Sequence, residues 1–266
     1  MKIGFIGTGN MGGALARAAA KGGHTLLLAN RTPAKAEALA KELGGTVCPN
    51  AEAAETAELL FLGVKPQGLP GLAGELAPVL QARKGNAPVV VSMATAVTLQ
   101  ELDAMLGGGL PLIRIMPNTP AAVGAGTILY AAQNVTDAQL NAFRAVLAQA
   151  GLLLPLPEAQ IDAASAISGC GPAFCFQFAD ALALGGVRAG LSYPDACRLA
   201  AQTMLGAAEM LLQGGEAPDV LKMRVCSPAG TTIEGVLALE QGGFSYTVQN
   251  AVTAAYRRTV EMTRKG

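Results

Sequence analysis

The sequence predicts an α/β N-terminal domain with a doubly wound, mainly parallel sheet, followed by an all-α C-terminal domain. In residues 1–157, short β-rich runs alternate with helical patterns. These runs are apolar throughout, which is typical of parallel strands covered by helices on both faces. After residue 157 the strand patterns end, and Ala, Leu and Met recur at helical spacing. We therefore expect one domain over residues 1–157 and a second over residues 158–266.

Seven strands are predicted, over residues 2–7, 25–30, 46–48, 59–64, 88–93, 110–116 and 128–131. Helical patterns lie between most of them, including residues 10–21, 33–43 and 67–81. In the second domain, residues 172–187 form an apolar helical pattern in which only Asp180 is charged. A helix that is apolar on most faces must be buried on most sides, which favours a partner subunit.

The composition excludes several classes of function. Of the 266 residues, 51% are apolar and 14% are charged, and the formal net charge is zero, which disfavours a nucleic-acid partner. So few charges leave little to cover a monomer's surface, so we expect an oligomer with an apolar interface.

The chain also lacks the features of a secreted, membrane or metal protein. A strand pattern begins at Lys2 with no signal peptide before it, and no uncharged stretch reads as a membrane span. Five cysteines without CxxC spacing indicate free thiols, and a single histidine, His24, argues against a metal site. We expect a cytoplasmic protein that binds no nucleic acid, no membrane and no metal.

A GxGxxG motif stands between the first predicted strand and the first helix. It consists of Gly7, Thr8, Gly9, Asn10, Met11 and Gly12. Its three glycines permit a tight turn, close approach of a pyrophosphate and close helix–strand packing, and the helix N-terminus attracts phosphate. A glycine-rich turn without a ligand is the alternative. The position of the motif nevertheless favours a dinucleotide-binding Rossmann domain.

The residues after the second strand indicate which dinucleotide binds. An NAD-binding domain commonly has an acidic residue there, whereas this chain has Asn30, Arg31 and Thr32. The first acidic residue is Glu37, and the cationic residues before it are Lys2, Arg17, Lys21, Arg31 and Lys35. A guanidinium and a hydroxyl suit a 2′-phosphate, so we expect NADP, with NADH used less well. Thr32 could instead cap the following helix, and the two roles can coexist.

Six motifs follow one another along the whole chain: GTGNMGGA at 7–14, NRT at 30–32, VKP at 64–66, RIMPNTP at 114–120, SGCGPAF at 168–174 and SPAGTT at 227–232. In this order and spacing they resemble the pyrroline-5-carboxylate reductase family. Two departures are small, since the family commonly has Ser where Cys170 stands and Gly where Ala229 stands. The resemblance implies that NADPH reduces a cyclic imine to L-proline, the last step of proline biosynthesis. It also implies a homodimer with interlocked helical domains, in some cases assembled into a decamer of five dimers.

The segment SPAGTT is the candidate substrate site. It opens a helix expected over residues 233–241, so its backbone N–H groups can bind a substrate carboxylate. The substrate-binding residues are then Ser227, Gly230, Thr231 and Thr232. The resemblance places the Thr232 hydroxyl, as the catalytic group, near the ring nitrogen, and places Glu158 near the substrate. For Thr231, a capping box with Glu234 is the alternative. An imine nitrogen is basic, so the substrate can arrive as an iminium without help from a histidine.

Further cofactor contacts are expected where later strands end. Val64, Lys65 and Pro66 follow the fourth strand at its carboxyl end, where ligands bind in such sheets. A solvated loop is the alternative for Lys65. Asn118 is expected at the nicotinamide end, with a purely structural turn as the alternative. The resemblance alone adds the cofactor-binding residues Asn50, Met93, Ala94 and Thr95.

Two other functions compete with this interpretation. Another NADP-dependent imine or β-hydroxyacid reductase has a similar layout, and the β-hydroxyacid type needs a catalytic lysine in its helical domain. Lys222 is the one lysine between residues 84 and 265, and no supporting asparagine follows it nearby. A non-catalytic NADP-binding regulator is expected to have lost Thr232 or the SPAGTT helix start, and both are present.

Overall fold

A computed structural model describes residues 1–83 and 85–263, so residues 264–266 of the predicted second domain lie outside the described residues. The strands are β1 (Lys2–Ile6), β2 (Thr25–Ala29), β3 (Thr46–Val47), β4 (Leu59–Leu62), β5 (Val89–Ser92), β6 (Leu112–Pro117), β7 (Gly126–Gln133) and β8 (Gly151–Pro155). The α-helices are α1 (Asn10–Ala20), α2 (Pro33–Leu43), α3 (Asn50–Thr56), α4 (Leu69–Ala82), α5 (Leu99–Met105), α6 (Asp137–Leu147), α7 (Glu158–Ser168), α8 (Gly171–Arg188), α9 (Tyr193–Gly214), α10 (Pro218–Arg224), α11 (Thr231–Gln241) and α12 (Phe244–Thr263).

All eight strands form one sheet in the order β3-β2-β1-β4-β5-β6-β7-β8. The neighbours from β3 to β6 are parallel, β7 is antiparallel to β6, and β8 is parallel to β7. The predicted doubly wound, mainly parallel sheet is confirmed. The strand order reverses between β1 and β4, and ligands of such sheets bind in the crevice at the carboxyl ends of the strands on either side of this point.

The inner strands β1, β2, β4, β5 and β6 are buried on both faces, which explains why their sequences are mostly apolar. On one face, Phe5 of β1 and Phe61 of β4 lie opposite each other and stack with ring centroids 4.6 Å apart. Leu15 of α1 and Phe143 of α6 pack into the same cluster. On the other face, Leu60 packs with the buried leucines of α4.

The structure corrects several predicted boundaries. Most strands end one or two residues from the predicted positions, and the helix predicted over residues 67–81 begins as a 3-10 turn at Pro66–Gly68 before α4 starts at Leu69. Strand β8 was not predicted. It lies at the edge of the sheet, where Leu152 is 52% exposed, so its three leucines lack the surroundings of a buried strand.

The chain divides into two compact units. Unit 1 comprises Met1–Cys170 with the described residues from Ala255 on, and unit 2 comprises Gly171–Ala254. The predicted boundary between residues 157 and 158 stays a prediction. Unit 2 is entirely helical, and its buried apolar residues are Ala183, Ala196 and Ala200. Its large apolar side chains are mostly exposed in the single chain, as the structure describes it.

Candidate functional site

Three glycines bring the GxGxxG loop into contact with the end of β4. Gly7 has φ +100°, and a Cβ there would lie 2.5 Å from the carbonyl oxygen of Gly63. A Cβ on Gly63 would lie 2.4 Å from the Gly7 oxygen, and one on Gly12 would lie 2.1 Å from it. Gly63 was not among the predicted site residues, because the strand predicted over residues 59–64 includes it, whereas β4 ends at Leu62. The two backbones therefore form the floor of the crevice between β1 and β4.

The remaining loop residues leave room for a ligand. No atom lies within 4 Å of the position a Cβ would take on Gly9, so a phosphate can approach the backbone there. Thr8 is 7% exposed, and its Oγ1 is buried without a hydrogen-bond partner among the described residues. A buried hydroxyl without a partner is costly, so a ligand that contacts it would be stabilising. These features fit the phosphates of a dinucleotide.

Asn30 connects this loop to the turn after β2. Its Oδ1 accepts a hydrogen bond from the Thr8 N–H at 3.0 Å, and its Nδ2 donates to the Thr32 carbonyl at 2.9 Å. Thr32 occupies the N-cap position of α2, before Pro33, but its side chain makes no capping hydrogen bond. The Thr32 hydroxyl therefore does not cap α2. Arg31 is exposed beside it.

Other predicted cofactor residues lie at the same edge of the sheet. Val64 and the exposed Lys65 follow β4 and lead into the 3-10 turn that begins at Pro66. Met93, Ala94 and Thr95 follow β5, and the Met93 N–H donates to the Leu62 carbonyl at 3.3 Å. This edge offers backbone N–H groups and a cation beside the glycine loop. Asn50 begins α3 after β3, and its Nδ2 donates to Glu75 at 3.1 Å.

The structure gives Asn118 a structural role. Its Nδ2 donates to the Ser168 carbonyl at the end of α7 at 2.8 Å, and its Oδ1 accepts from the Thr127 N–H at 2.8 Å. The side chain is 7% exposed. This geometry favours the alternative of a structural turn, and contact with the nicotinamide stays a prediction.

Glu158 also has intramolecular partners. Its Oε1 accepts a hydrogen bond from the Leu99 N–H at 2.6 Å and lies 3.4 Å from Arg114 Nη1. Arg114, on β6, is 3% exposed, and its Nη2 lies 2.5 Å from Asp162 Oδ1. The sequence did not indicate that Glu158 and Asp162 both pair with Arg114, because they lie 44 and 48 residues from it along the chain. Together they attach the first two turns of α7 to the sheet. A contact between Glu158 and substrate stays a prediction.

The SPAGTT segment lies in unit 2, and the structure corrects its details. Helix α11 begins at Thr231, not at residue 233, and its N-cap is Gly230, with no side-chain capping bond. The capping box of Thr231 with Glu234 was therefore wrong. A turn closed by the Gly230 N–H and the Ser227 carbonyl at 3.0 Å starts the helix earlier, and a Cβ on Gly230 would lie 2.2 Å from Ser227 Oγ. The N–H groups of the first helical turn have no helical partner and can bind an anion.

Unit 2 also carries a wide apolar groove of about 590 Å3. Its lining includes Phe174, Phe178, Met204, Leu239, Phe244 and Val248. Several of these residues belong to the apolar helical pattern over residues 172–187, which was expected to be buried against a partner subunit. Elsewhere in this unit the Tyr193 hydroxyl donates to Asp180 at 2.7 Å, which joins α9 to α8 and raises the pKa of Tyr193 to about 12.

Comparison with known proteins gives matches over nearly the whole chain. Residues 158–262 match the family model described as pyrroline-5-carboxylate reductase dimerisation, and residues 2–96 match that described as NADP oxidoreductase, coenzyme F420-dependent. A pyrroline-5-carboxylate reductase of Synechocystis is 39% identical, with 100% of this chain and 99% of the relative covered.

Two solved structures are similar over their full lengths. That of a pyrroline-5-carboxylate reductase from Coxiella burnetii aligns with a TM-score of 0.90 at 32% identity and covers 97% of both chains. That of the Plasmodium falciparum enzyme, which has NADP bound, aligns with a TM-score of 0.86 at 30% identity and covers 99% of this chain and 98% of the other.

Proposed function

Because the chain belongs to the pyrroline-5-carboxylate reductase family, we infer that it reduces the cyclic imine pyrroline-5-carboxylate to L-proline, the last step of proline biosynthesis, with NADPH. The observation that carries this inference is similarity over the full chain, which includes both the glycine loop of unit 1 and the SPAGTT helix start of unit 2. A β-hydroxyacid reductase or a non-catalytic regulator has no comparable support.

The cofactor is proposed to lie across the carboxyl ends of β1, β4 and β5. Gly9 is the N-cap of α1 and has open space over it, so the N–H groups at the start of α1 would bind the pyrophosphate there. Asn30 holds the loop to the turn after β2, so that turn and loop have a fixed spacing before the cofactor arrives. Thr32 and Arg31 would meet the adenosine ribose, and Lys65 and Met93–Thr95 the rest of the dinucleotide. When bound, NADPH supplies the hydride.

The substrate carboxylate is proposed to bind at the start of α11. The N–H groups of Thr231, Thr232 and the next residue point out of the helix without helical partners and carry its positive dipole end. With the carboxylate held there, the Thr232 hydroxyl would orient the ring nitrogen by a hydrogen bond. A threonine is a poor acid, and an iminium needs no further proton, so the role of Thr232 is positioning the reacting carbon against the cofactor.

The protein is further proposed to be a homodimer through unit 2. Phe176, Leu212 and Tyr246 are 69%, 79% and 71% exposed in the single chain, and unit 2 exposes most of its other large apolar side chains as well. Such exposure favours burial against a partner. A second copy of the chain would cover this surface and the apolar groove, in line with the dimerisation model over residues 158–262. A decamer of five dimers is the larger assembly we propose to test.

We also propose that the protein acts in the cytoplasm without contact to a membrane. The cysteines Cys48, Cys170, Cys175, Cys197 and Cys226 are free thiols, which fits a reducing compartment. On length and composition alone, the helical stretch over residues 158–188 could cross a membrane, with a mean hydropathy of 1.3. A dimer interface accounts for the same apolar surface, and fractionation of cells into soluble and membrane parts distinguishes the two.

A spectrophotometric assay tests the reaction. Purified protein with pyrroline-5-carboxylate should oxidise NADPH, more slowly oxidise NADH, and form proline in equal amount. Absence of proline with either cofactor would refute the proposed function.

Substitutions of Thr232 test its role. Thr232→Ala should melt almost normally but lower kcat/KM by roughly 5- to 150-fold, the loss of one hydrogen bond of about 1–3 kcal/mol. Thr232→Ser keeps the hydroxyl and should retain most activity. If serine does no better than alanine, the methyl group matters and the hydrogen-bond role is wrong.

Refolding inactive variants together tests whether the active site is shared between subunits. A Gly9→Val variant, which fills the space over the loop, should be inactive, as should Thr232→Val. If each site combines unit 1 of one subunit with unit 2 of its partner, a refolded mixture should regain activity. Sedimentation should show at least a dimer at about micromolar concentration. A fully active monomer would contradict the shared site and the dimer.

A further inference from the structure

We propose that Lys35 is a specificity-determining residue that binds the 2′-phosphate of NADP, and that Glu42 keeps the neighbouring Arg17 from doing so. This inference rests on the proposed function, because it concerns the cofactor of that reaction. Lys35 and Arg17 are among the cationic residues that precede Glu37 in the sequence, but neither was among the predicted cofactor-binding residues.

A cavity of about 250 Å3 lies between α1 and α2, beside the glycine loop. Its lining includes Thr8, Gly9, Asn10, Arg17, Lys35 and Glu42. The buried Thr8 Oγ1, which has no partner among the described residues, belongs to this lining. The cavity therefore adjoins the loop that would bind the pyrophosphate and contains an unsatisfied hydroxyl and two cations. This is the chemistry of a phosphate site.

One of these two cations is already neutralised. Arg17 Nε lies 2.6 Å and Nη2 lies 2.7 Å from the two carboxylate oxygens of Glu42, a bidentate pair that joins α1 to α2. The hydrogen bond from Arg17 holds the pKa of Glu42 below its ordinary value, so Glu42 is charged at neutral pH. The guanidinium also folds over Gly13, since a Cβ there would lie 3.3 Å from Nη1. A dianionic phosphate that approached Arg17 would also meet the Glu42 carboxylate.

Lys35 has no such partner. It lies in the first turn of α2, its side chain is exposed, and none of the ion pairs in the described residues includes it. Because the charges of Arg17 and Glu42 cancel, the net positive charge of the cavity comes from Lys35. Arg31 is exposed in the turn before α2 but is not part of the cavity lining. The structure therefore favours Lys35 over Arg31 as the cation that distinguishes NADP from NAD.

Calorimetric titration with NADP+ and NAD+ tests the proposal without turnover, because the two ligands differ only in the 2′-phosphate. Lys35→Gln should raise the Kd for NADP+ by about 10-fold or more, the loss of one charge-assisted contact, and change that for NAD+ less than about twofold. Lys41→Gln is the matched control: it removes an exposed lysine from the same helix and should change neither Kd. An unchanged NADP+ Kd in Lys35→Gln, or a selective loss in Arg31→Gln instead, would overturn the proposal.

Substitution of Glu42 tests whether this carboxylate keeps Arg17 from binding the 2′-phosphate. Glu42→Gln keeps the side chain's shape but releases the charge of Arg17, so it should tighten NADP+ binding and leave NAD+ nearly unchanged. In the Lys35→Gln background it should recover part of the lost NADP+ affinity. If the Arg17–Glu42 pair serves only to join α1 to α2, Glu42→Gln will change the melting temperature but not the ratio of the Kd for NADP+ to the Kd for NAD+. That outcome would refute the proposed role of Glu42. If the unaltered protein binds neither cofactor, the proposed function fails, which is a separate result.

Discussion

Arg114 provides the sharpest test of how unit 1 is held together. In Arg114→Met, the carboxylates of Glu158 and Asp162 lose the cation that lies 3.4 Å and 2.5 Å from them. Removing one partner of a buried ion pair costs about 3–5 kcal/mol. The two carboxylates retain 28% and 22% exposure, so water solvates them in part and we expect a cost of about 2–4 kcal/mol.

The assay is thermal and urea unfolding at one fixed protein concentration, because oligomers melt at concentration-dependent temperatures. Arg114→Met should lower Tm by about 5–15 °C. Arg198→Met is the control, since Arg198 is 85% exposed and lies 4.0 Å from its carboxylate partner, so its loss should change stability by less than about 0.5 kcal/mol. A double-mutant cycle with Asp162→Asn should give a coupling of about 1–3 kcal/mol. A coupling near zero, or equal effects of the two arginines, would refute the reasoning.

Three further changes follow from local geometry. Ala229 has φ +55°, so Ala229→Gly should relieve strain and stabilise the protein by about 0.5–1 kcal/mol in urea unfolding, after the entropic cost of glycine; a lower midpoint would contradict this. Gly63→Ala would place its Cβ 2.4 Å from the Gly7 oxygen and should weaken NADP+ binding more than about 10-fold in calorimetry, whereas Gly74→Ala, with open space, should not. Hydrogen bonds from Thr98 lower the pKa of Glu101, so the stability that Glu101 adds is present above its ordinary pKa of 4.5 and is lost as the pH falls below it. The melting difference between wild type and Glu101→Gln should therefore be constant well above pH 4.5 and shrink progressively as the pH falls below it.

The sheet could be predicted from sequence because its inner strands are buried on both faces. Five of the seven predicted strands correspond to β1, β2, β4, β5 and β6, whose buried apolar runs are typical of parallel strands covered on both faces. The sixth, β3, was predicted too, although Thr46 and Val47 are exposed. The direction of β7 and the existence of β8 could not be predicted. The direction of a strand does not change its amino-acid composition, so the sequence does not show that β7 is antiparallel to β6. Leu152 of β8 is exposed at the sheet edge, as a leucine in a loop can also be.

The candidate site was predictable where local chemistry defines it and not where distant residues meet. The glycine loop could be identified from the six adjacent residues of its motif and their flanking elements. Gly63, Glu42 with Arg17, and Arg114 with its carboxylates could not, because each acts through a partner 25 or more residues away. At Thr231 the local sequence was misleading. It has the residues of a capping box, but the turn from Ser227 makes Gly230 the N-cap, so Thr231 is already the first residue of α11.

The sparse core of unit 2 has a consequence for how the protein matures in a cell. A newly synthesised chain has residues 1–170 of unit 1 before unit 2 is made, whereas the part of unit 1 from Ala255 on is made last. In the proposed homodimer, unit 2 then presents Phe176, Leu212 and Tyr246 to water until a second chain arrives. That meeting is bimolecular, so the half-time of maturation lengthens as the concentration of new chains falls. Dilute refolding should therefore be slow and prone to aggregation, and the yield of active protein should depend on how quickly chains find one another.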